Sequence, residues 1–538
     1  MTDLNLLESL SDNILIDKTK CTFCGICIET CILDNLRMKL APCRRVCPLG
    51  VNCHGYVQLI ARGEENKALE LLRETNPFPG ILGRICAQPC EAACHRKVVD
   101  GEGVAIRALK RYLIELGRNT LIPDNPPSRD SGQRVAIVGS GPTGLMAALD
   151  LRLKGHGVNV FEAEDEPGGM LRWAIPEFRL PLPVLEQETN RLKEMGVQFE
   201  CGVALGRDRS LANLKTQFDA IVIAIGCGKP ISLNLKGEEL PEIYYGLPFL
   251  RGVRAGQPPA VGKTVIVIGG GNVALDSAQT AFRLGASDVT MVCLESREEM
   301  PAFVWALEEA LTEGIKLDCS WGPVRFLSEN GRLKAVELQV CKSVFDHDGA
   351  FCPSFERSQT KTLLADTIIL AVGQRRDVDS LEKAGLTVEG LRVVDPLTLQ
   401  TSDEMIFLAG DVYRGPTSVV QAMADGRAVA ESVHRWLMRE DLHYGRSYRG
   451  PVETEFEIDV RTGSNLTRRQ IPRRLIRGQG DFSEVEMAFD EATARQEAGR
   501  CYSCGEPFGK FRTCWFCLPC EIECPHEALR VDIPYLLK

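Results

Sequence analysis

Cysteine is the residue whose spacing carries the most chemistry in this chain of 538 residues. Cys21, Cys24, Cys27 and Cys31 read C-x2-C-x2-C-x3-C, and Cys514, Cys517, Cys520 and Cys524 repeat that spacing with Pro525 next. Close thiolates on a tight loop can hold three corners of an iron-sulfur cube while the fourth comes from another segment. Zinc is the competing reading, since C-x2-C pairs also suit a tetrahedral ion, but three thiols at x2 spacing, twice over, favour iron and sulfide. A disulfide scaffold belongs to small secreted domains and not to a chain of this length. Cys43, Cys47 and Cys53, then Cys86, Cys90 and Cys94, are regularly spaced with prolines beside Cys43, Cys47 and Cys90. That pattern reads as ligands on loops between short helices. With Cys501 and Cys504 the terminal cysteines number sixteen of 22, enough for three to four [4Fe-4S] clusters. The remaining Cys201, Cys227, Cys293, Cys319, Cys341 and Cys352 are scattered singly and read as ordinary small apolar side chains.

Nucleotide chemistry lies between these ends. After a proline-rich linker over 122–132 comes RVAIVGSGPTGLMAALDLRLKGHGVNVFEAE, in which an apolar strand precedes Gly139, Gly141 and Gly144 and a helix follows. Such glycines let the backbone approach a pyrophosphate, which then rests on the helix N-terminus, where unpaired N–H groups favour an anion. Glu162 ends the next strand, where a carboxylate can accept from ribose hydroxyls. A second unit, KTVIVIGGGNVALDSAQTAFRLGASDVTMVCLESREEMPAF, supplies Gly269, Gly271 and Ala274, and its second strand ends in Glu295. Two such units imply two dinucleotides. A far-downstream IFLAGDVYRGPTSVVQAMADGRAVA, with Gly410 and Asp411 opening a helix, is explained by a flavin domain interrupted by an inserted nicotinamide domain. Apolar strands at Ala220 to Ile225 and Thr367 to Val372 mark where the chain leaves and re-enters the first domain.

The expected fold is therefore an α/β core of two nested Rossmann-type dinucleotide-binding domains, with an α-helical Fe-S domain before it and a small ferredoxin-like Fe-S domain at the end. Its divisions are a ferredoxin-like segment over 1–40, a helical Fe-S domain over 41–121, a FAD-binding domain over 133–245 and 373–440, a NAD(H)-binding domain over 246–372, a connecting arm over 441–495 and the terminal Fe-S domain over 496–538. The chain is long enough for several cores. A net charge of -10 argues against nucleic acid as the main partner, and no apolar stretch approaches a membrane span. The acidic start reads as neither a secretory nor a mitochondrial signal, which with many free thiols implies a reducing cytoplasm. His54, His95 and His526 flank cysteines and are read as solvent-facing, in preference to donors of hydrogen bonds to cluster sulfide; the basic RRQIPRRLIR run of the arm is read as a solvated linker, in preference to a docking site for an acidic partner.

The segments APCRRVCPLG, TNPFPGILGRICAQPCEAAC, VGSGPTGL, EPGGML with IPEFRLP, GGGNVALD, REEMPAF, and AGD followed by GPTSVVQAMADGRAVA carry a family likeness. From about Cys43 to Val433 the chain resembles the small subunit of glutamate synthase, the N-terminal half of dihydropyrimidine dehydrogenase, and related Fe-S flavoproteins that exchange electrons between NAD(P)H and ferredoxin. The resemblance implies that Gly139, Gly141, Gly144, Glu162, Gly169, Gly410 and Asp411 surround FAD, and that Gly269, Gly271 and Asn272 hold the nicotinamide cofactor. Two departures follow. Those relatives carry a C-x2-C just upstream of the Cys43 segment, which is missing here. The dehydrogenase places a glutamine ligand where this chain has Lys110; an ammonium cannot ligate iron, and Cys53 is the candidate replacement. Pro507 stands where a third cysteine would extend Cys501 and Cys504 into another ferredoxin run, so one cluster is expected in the tail.

These residues predict an oxidoreductase subunit, a hetero-oligomer with other redox subunits or a ferredoxin. It passes electrons between NAD(H), FAD and [4Fe-4S] clusters, with hydride transfer performed by the bound cofactors and by no catalytic side chain. Glu295 favours NADH over NADPH, because a carboxylate accepts from a free 2'-hydroxyl and repels a 2'-phosphate, although Arg297 stands close by. No C-x2-C lies inside either nucleotide unit, which disfavours a dithiol mechanism, and Cys227 is read as packing. The alternatives are a glutamate synthase small subunit feeding an amidotransferase, and a non-catalytic flavin/Fe-S scaffold or sensor.

Overall fold

Uninterrupted apolar runs bounded by glycine become strands buried on both faces, and two such sheets organise the molecule. In the computed structural model, the residues described are 14–17, 20–31, 36–117, 130–386, 393, 395–446, 452–458, 460, 466–476, 478–509, 514 and 517–533. The first sheet is fully parallel, in the order Ile406–Leu408, Ala220–Ile223, Arg134–Val138, Gly157–Phe161 and Gln198–Glu200. The second is parallel too, in the order Lys316–Asp318, Asp288–Val292, Thr264–Ile268, Thr367–Leu370 and Ile243–Tyr245. The nesting is thus as the sequence predicts. The strand at Thr367–Leu370 closes the second sheet, however, and the chain re-enters the first only at Ile406–Leu408. Ile243–Tyr245 also belongs to the second sheet, which moves the start of the inserted unit ahead of residue 246. Where the chain crosses between the two, Lys229–Pro230 pairs antiparallel with Gln374–Arg375. An antiparallel sheet of Trp321–Glu329, Arg332–Phe345 and Phe351–Leu364 extends from the inserted domain.

Before the nucleotide domains come the helices Cys53–Ala61, Glu65–Thr75, Pro79–Ile85 and Ile106–Leu116. Asn52 caps the first by accepting from the Gly55 N–H at 3.0 Å. Ala68, Leu69, Leu71 and Leu72 form the buried stripe of the second. Helix Pro79–Ile85 packs against Leu182–Glu194 of the first nucleotide domain, and a Cβ at Gly80 would stand 3.2 Å from both Glu188 and Val184.

The two chain ends, read from the sequence as separate units, form one. Ile14–Ile16 pairs antiparallel with Leu529–Val531, and Leu36–Lys39 pairs antiparallel with Glu506–Gly509. Cys27, Ile28, Leu36 and Met38 share an apolar cluster with Cys520, Leu529 and Val531. The arm joins as well, since Val452–Glu453 pairs with Met38 and Lys39. Its basic run is not a solvated linker. Arg468 donates to Glu91 at 2.6 Å and to the Gly103 carbonyl at 2.6 Å, Arg473 pairs with Glu309, and Arg474 pairs with Asp481. No helix among the described residues is long and apolar enough to cross a membrane.

Candidate cofactor sites

At the first glycine loop each residue is required for a different reason. A Cβ at Gly144 would lie 1.9 Å from the Gly139 carbonyl oxygen, and one at Gly139, whose φ is +104°, would lie 2.4 Å from the Ala224 oxygen. Gly141 differs: nothing lies within 4 Å of a Cβ there, and it opens the helix Pro142–Leu153. Backbone is thus exposed only where a pyrophosphate would approach. A Cβ at Gly169 (φ +50°) would lie 2.8 Å from the Gly141 Cα, and one at Gly410 (φ +77°) would run into the Thr143 side chain, so two distant loops converge on this helix start. The Glu162 carboxylate accepts from the Ser140 N–H at 2.9 Å, the Ser140 hydroxyl and the Glu164 N–H at 3.0 Å. Ser140, which the sequence reading passed over, also accepts from the Gly168 N–H at 2.9 Å and so knits three segments of the loop together. Asp411 accepts from the N–H and hydroxyl of Thr417, and burial raises its pKa. The Cys227 thiol donates to the Asp411 carbonyl at 3.1 Å.

The second loop repeats the design. A Cβ at Gly269 would meet the Ala371 oxygen at 2.3 Å, whereas Gly271 is open and starts the helix Asn272–Arg283. Asn272 spends its side-chain oxygen on the Phe303 N–H at 3.1 Å, holding the REEMPAF loop beside the helix start. A Cβ at Gly270 would stand 2.6 Å from Glu295 Oε2, so this carboxylate lies over the loop, while Arg297 is exposed. Arg179 of the IPEFRLP segment locks the two domains together, pairing with Asp276, with Glu309 at 2.9 Å and with Gln279 at 2.6 Å. Cys293 and Cys319, read as isolated, have their sulfurs 3.8 Å apart just past the ends of the neighbouring strands Asp288–Val292 and Lys316–Asp318.

The cysteines predicted as ligands gather in four sets. Cys21, Cys24, Cys27 and Cys524 line one cavity. Cys31 joins Cys514 and Cys517 around Cys520. Cys43, Cys94, Cys501 and Cys504 line a second cavity, which Cys53 also borders. Cys53 hydrogen-bonds with Cys47 and Cys90, and these three together with Cys86 act on the charge of Lys110. Beside Cys43, where the sequence lacks the upstream C-x2-C, the cavity is thus lined by the C-x2-C of Cys501 and Cys504 from the other end of the chain. The unpartnered pair at Cys501 and Cys504, seen beside that gap, was the available signal. Buried Arg500 fastens this loop by donating to Glu102 and Gly103 carbonyls at 2.9 and 3.1 Å and to Glu497 at 2.8 Å.

Backbone shape fits these sets to an anionic cluster. Ten described residues other than glycine have positive φ, and four of them sit inside thiol loops: Phe23 (58°), Gln88 (60°), Ser503 (53°) and Leu518 (69°). Left-handed residues are costly, and in such turns they aim backbone N–H groups into an anion-binding concavity of the kind that iron-sulfur centres use. The Phe23 N–H accordingly donates to Cys21 Sγ at 3.4 Å, and Gln88 and Ser503 do the same for Cys86 and Cys501. A hydrogen bond from the Cys53 thiol, aided by Lys110, pulls Cys47 down to about 6. Among the described residues no three His, Cys, Asp or Glu side chains converge to hold a single ion.

His54 is buried, contrary to the solvent-facing reading. Its ring lies 3.7 Å from that of Phe23 in the first cavity wall, and its Nε2 is 2.9 Å from Ser503 Oγ beside the second cavity. Asn52 Nδ2 donates to the Thr22 and Phe23 carbonyls at 2.9 and 3.2 Å, and a Cβ at Gly55 would meet the Thr22 oxygen at 2.5 Å. The first thiol loop is thereby pressed onto the helix that carries Cys53. His526 lines the first cavity half-buried, and burial lowers its pKa.

Residues 133–426 match the pyridine nucleotide-disulphide oxidoreductase family, more than half of the chain. The chain belongs to that family. Residues 29–121 match dihydropyrimidine dehydrogenase domain II, 4Fe-4S cluster. The chain is 32% identical over 499 residues to the NADP(+)-dependent formate dehydrogenase subunit beta of Moorella thermoacetica, covering 86% of this chain and 70% of that one. It is 32% identical over 402 residues to the NAD-dependent dihydropyrimidine dehydrogenase subunit PreT of Salmonella typhimurium (74% and 91% covered). To the glutamate synthase [NADPH] small chain of Mycobacterium tuberculosis it is 33% identical over 451 residues (78% and 88% covered). The two matches and these relatives together make the protein an NAD(P)H-dependent FAD and iron-sulfur oxidoreductase.

Proposed function

We propose that the chain is the electron-transfer subunit of a larger redox enzyme, moving electrons between NAD(H), FAD and four [4Fe-4S] clusters and exchanging them with a partner redox enzyme or ferredoxin. The observation that carries this reading is the gathering of sixteen cysteines into four sets that touch in series. The first two share the unit built from the chain ends. Phe23 and His54 join the first to the third. Cys43 and Cys53 hydrogen-bond between the third and fourth. Helix Pro79–Ile85, which leads into Cys86, rests on the flavin-type domain. When bound, the flavin would take electrons in pairs from the nicotinamide and the clusters would carry them singly. The protein's part is to cradle two pyrophosphates at Gly141 and Gly271, to hold the domains in register through Arg179, and to fix the thiols. Relatives named as subunits support a hetero-oligomeric assembly. Iron and sulfide analysis of the anaerobically purified chain tests the ligand sets: about sixteen irons per chain are expected, four per cube, and about eight would overturn the four-set partition.

The nicotinamide preference rests on Glu295. Its carboxylate over Gly270 would accept from a ribose 2'-hydroxyl and repel a 2'-phosphate, which supports NADH. Replacing Glu295 with glutamine should raise the NADPH-to-NADH ratio of kcat/KM by about tenfold, ~1.4 kcal/mol. An unchanged ratio, or wild-type protein that favours NADPH, would refute the assignment. The glutamate synthase reading is favoured by the small-chain relative; co-purification with a glutamine-hydrolysing subunit would establish it.

A further inference from the structure

The helix Ile106–Leu116 turns three cations into the interior: Arg107, Lys110 and Arg111 are each at most 4% exposed. Burying a charge is costly unless it is compensated. Two of the three are compensated by carboxylates, Arg107 by Glu486 at 2.6 Å and Arg111 by Glu484 at 2.8 Å. Among the described residues no carboxylate pairs with Lys110. The groups that act on its ammonium are the sulfurs of Cys86, Cys90, Cys53 and Cys47. Neutral thiols would leave this cation uncompensated in the core. Four thiolates around an iron-sulfur cube would pair it.

We propose that Lys110 is the fixed counter-cation of the centre formed by Cys47, Cys53, Cys86 and Cys90, and that it holds the reduction potential of that centre up. The inference rests on the reading that these four cysteines bind a [4Fe-4S] cluster. Its sign follows from charge alone. Taking up one electron adds one negative charge to the cluster, and a cation held in a water-poor interior stabilises the reduced form more than the oxidised one. Net charge and burial are among the features that set such potentials. The position also has a use. Cys86 follows the helix that packs on the flavin-type domain, so a raised potential would favour the entry of electrons from the flavin side into the series of centres. Lys110 does not touch the iron and is a positioning charge, not a ligand.

The test is an EPR-monitored redox titration, with iron analysis, of the full chain under anaerobic conditions. Wild type is compared with Lys110→Met and Lys110→Arg, and the signal of this centre is identified as the one lost in Cys86→Ala. Lys110→Met should make this centre at least tenfold harder to reduce, about 59 mV lower for one electron, with the other signals unmoved. Lys110→Arg, which keeps the charge, should stay near wild type. An unchanged midpoint in Lys110→Met, or an equal fall in Lys110→Arg, overturns the inference. If Lys110→Met instead loses about four irons, retention of iron at the wild-type midpoint in Lys110→Arg upholds it, and loss of iron there overturns it. Should Cys86→Ala remove no signal from wild type, the cluster assignment itself fails, and the role of Lys110 fails with it.

Discussion

Replacing Cys524 with alanine is expected to destroy the centre built on Cys21, Cys24 and Cys27, at the opposite end of the chain, and to spare the one built on Cys514, Cys517 and Cys520. The geometry behind this is an exchange. Cys524 lines the cavity of the first run, and Cys31 of the first run stands with Cys520 of the second. Two-cluster ferredoxins give the fourth cysteine of each run to the other cluster, and pairing of Ile14–Ile16 with Leu529–Val531 brings the two runs together here. Iron should fall by about four per chain, and reduced samples should lack the same EPR signal as Cys21→Ala. Cys31→Ala should match Cys520→Ala. If Cys524→Ala instead matches Cys520→Ala, the centres follow sequence order and the exchange is wrong.

Two neighbouring glycines should separate folding from flavin binding. In Gly144→Ala the new Cβ is driven to 1.9 Å from the Gly139 oxygen, and Gly139 is itself pinned against Ala224, so neither loop can yield cheaply. Overpacking of this kind costs about 1–3 kcal/mol, and the variant should lose both thermal stability and FAD. Gly141→Ala is different. Its φ of -68° suits alanine, and nothing lies within 4 Å of the added carbon. Flavin-free Gly141→Ala should therefore melt like flavin-free wild type, within about 0.5 kcal/mol. Its FAD affinity should drop by at least about tenfold, ~1.4 kcal/mol, because the methyl occupies the backbone surface that a pyrophosphate approaches. Flavin titrations and melting curves of the two variants are the check; wild-type affinity in Gly141→Ala would remove the phosphate from this loop.

What could be read from the residues was what is local. Each glycine unit is a contiguous strand, turn and helix, so the requirement for glycine at Gly139, Gly144 and Gly269 was visible within short windows, and the order of these units, with the AGD segment far downstream, carried the nesting of two parallel sheets. The partition of the cysteines was not visible. Cys43 and Cys501 are joined by long-range contacts such as that of Arg500 with Gly103, and Cys524 meets Cys21 where the chain ends pair. The arginine-rich arm looked solvated for the same reason. The partners of Arg468 and Arg473, Glu91 and Glu309, lie far away along the chain, and a charge run has no periodicity that would reveal them. His54 looked like a surface histidine beside a cysteine until the Phe23 loop closed over it.

The central claim is that nicotinamide, flavin and the four thiol sets form one electrical path. Anaerobic titration of the cluster-loaded protein with NADH, following flavin and iron-sulfur absorbance together, tests it most directly. The account predicts that NADH bleaches both chromophores and that NADPH does so far less efficiently. A flavin that stays oxidised with either nucleotide, or one that bleaches while the iron-sulfur absorbance is unmoved, would contradict it.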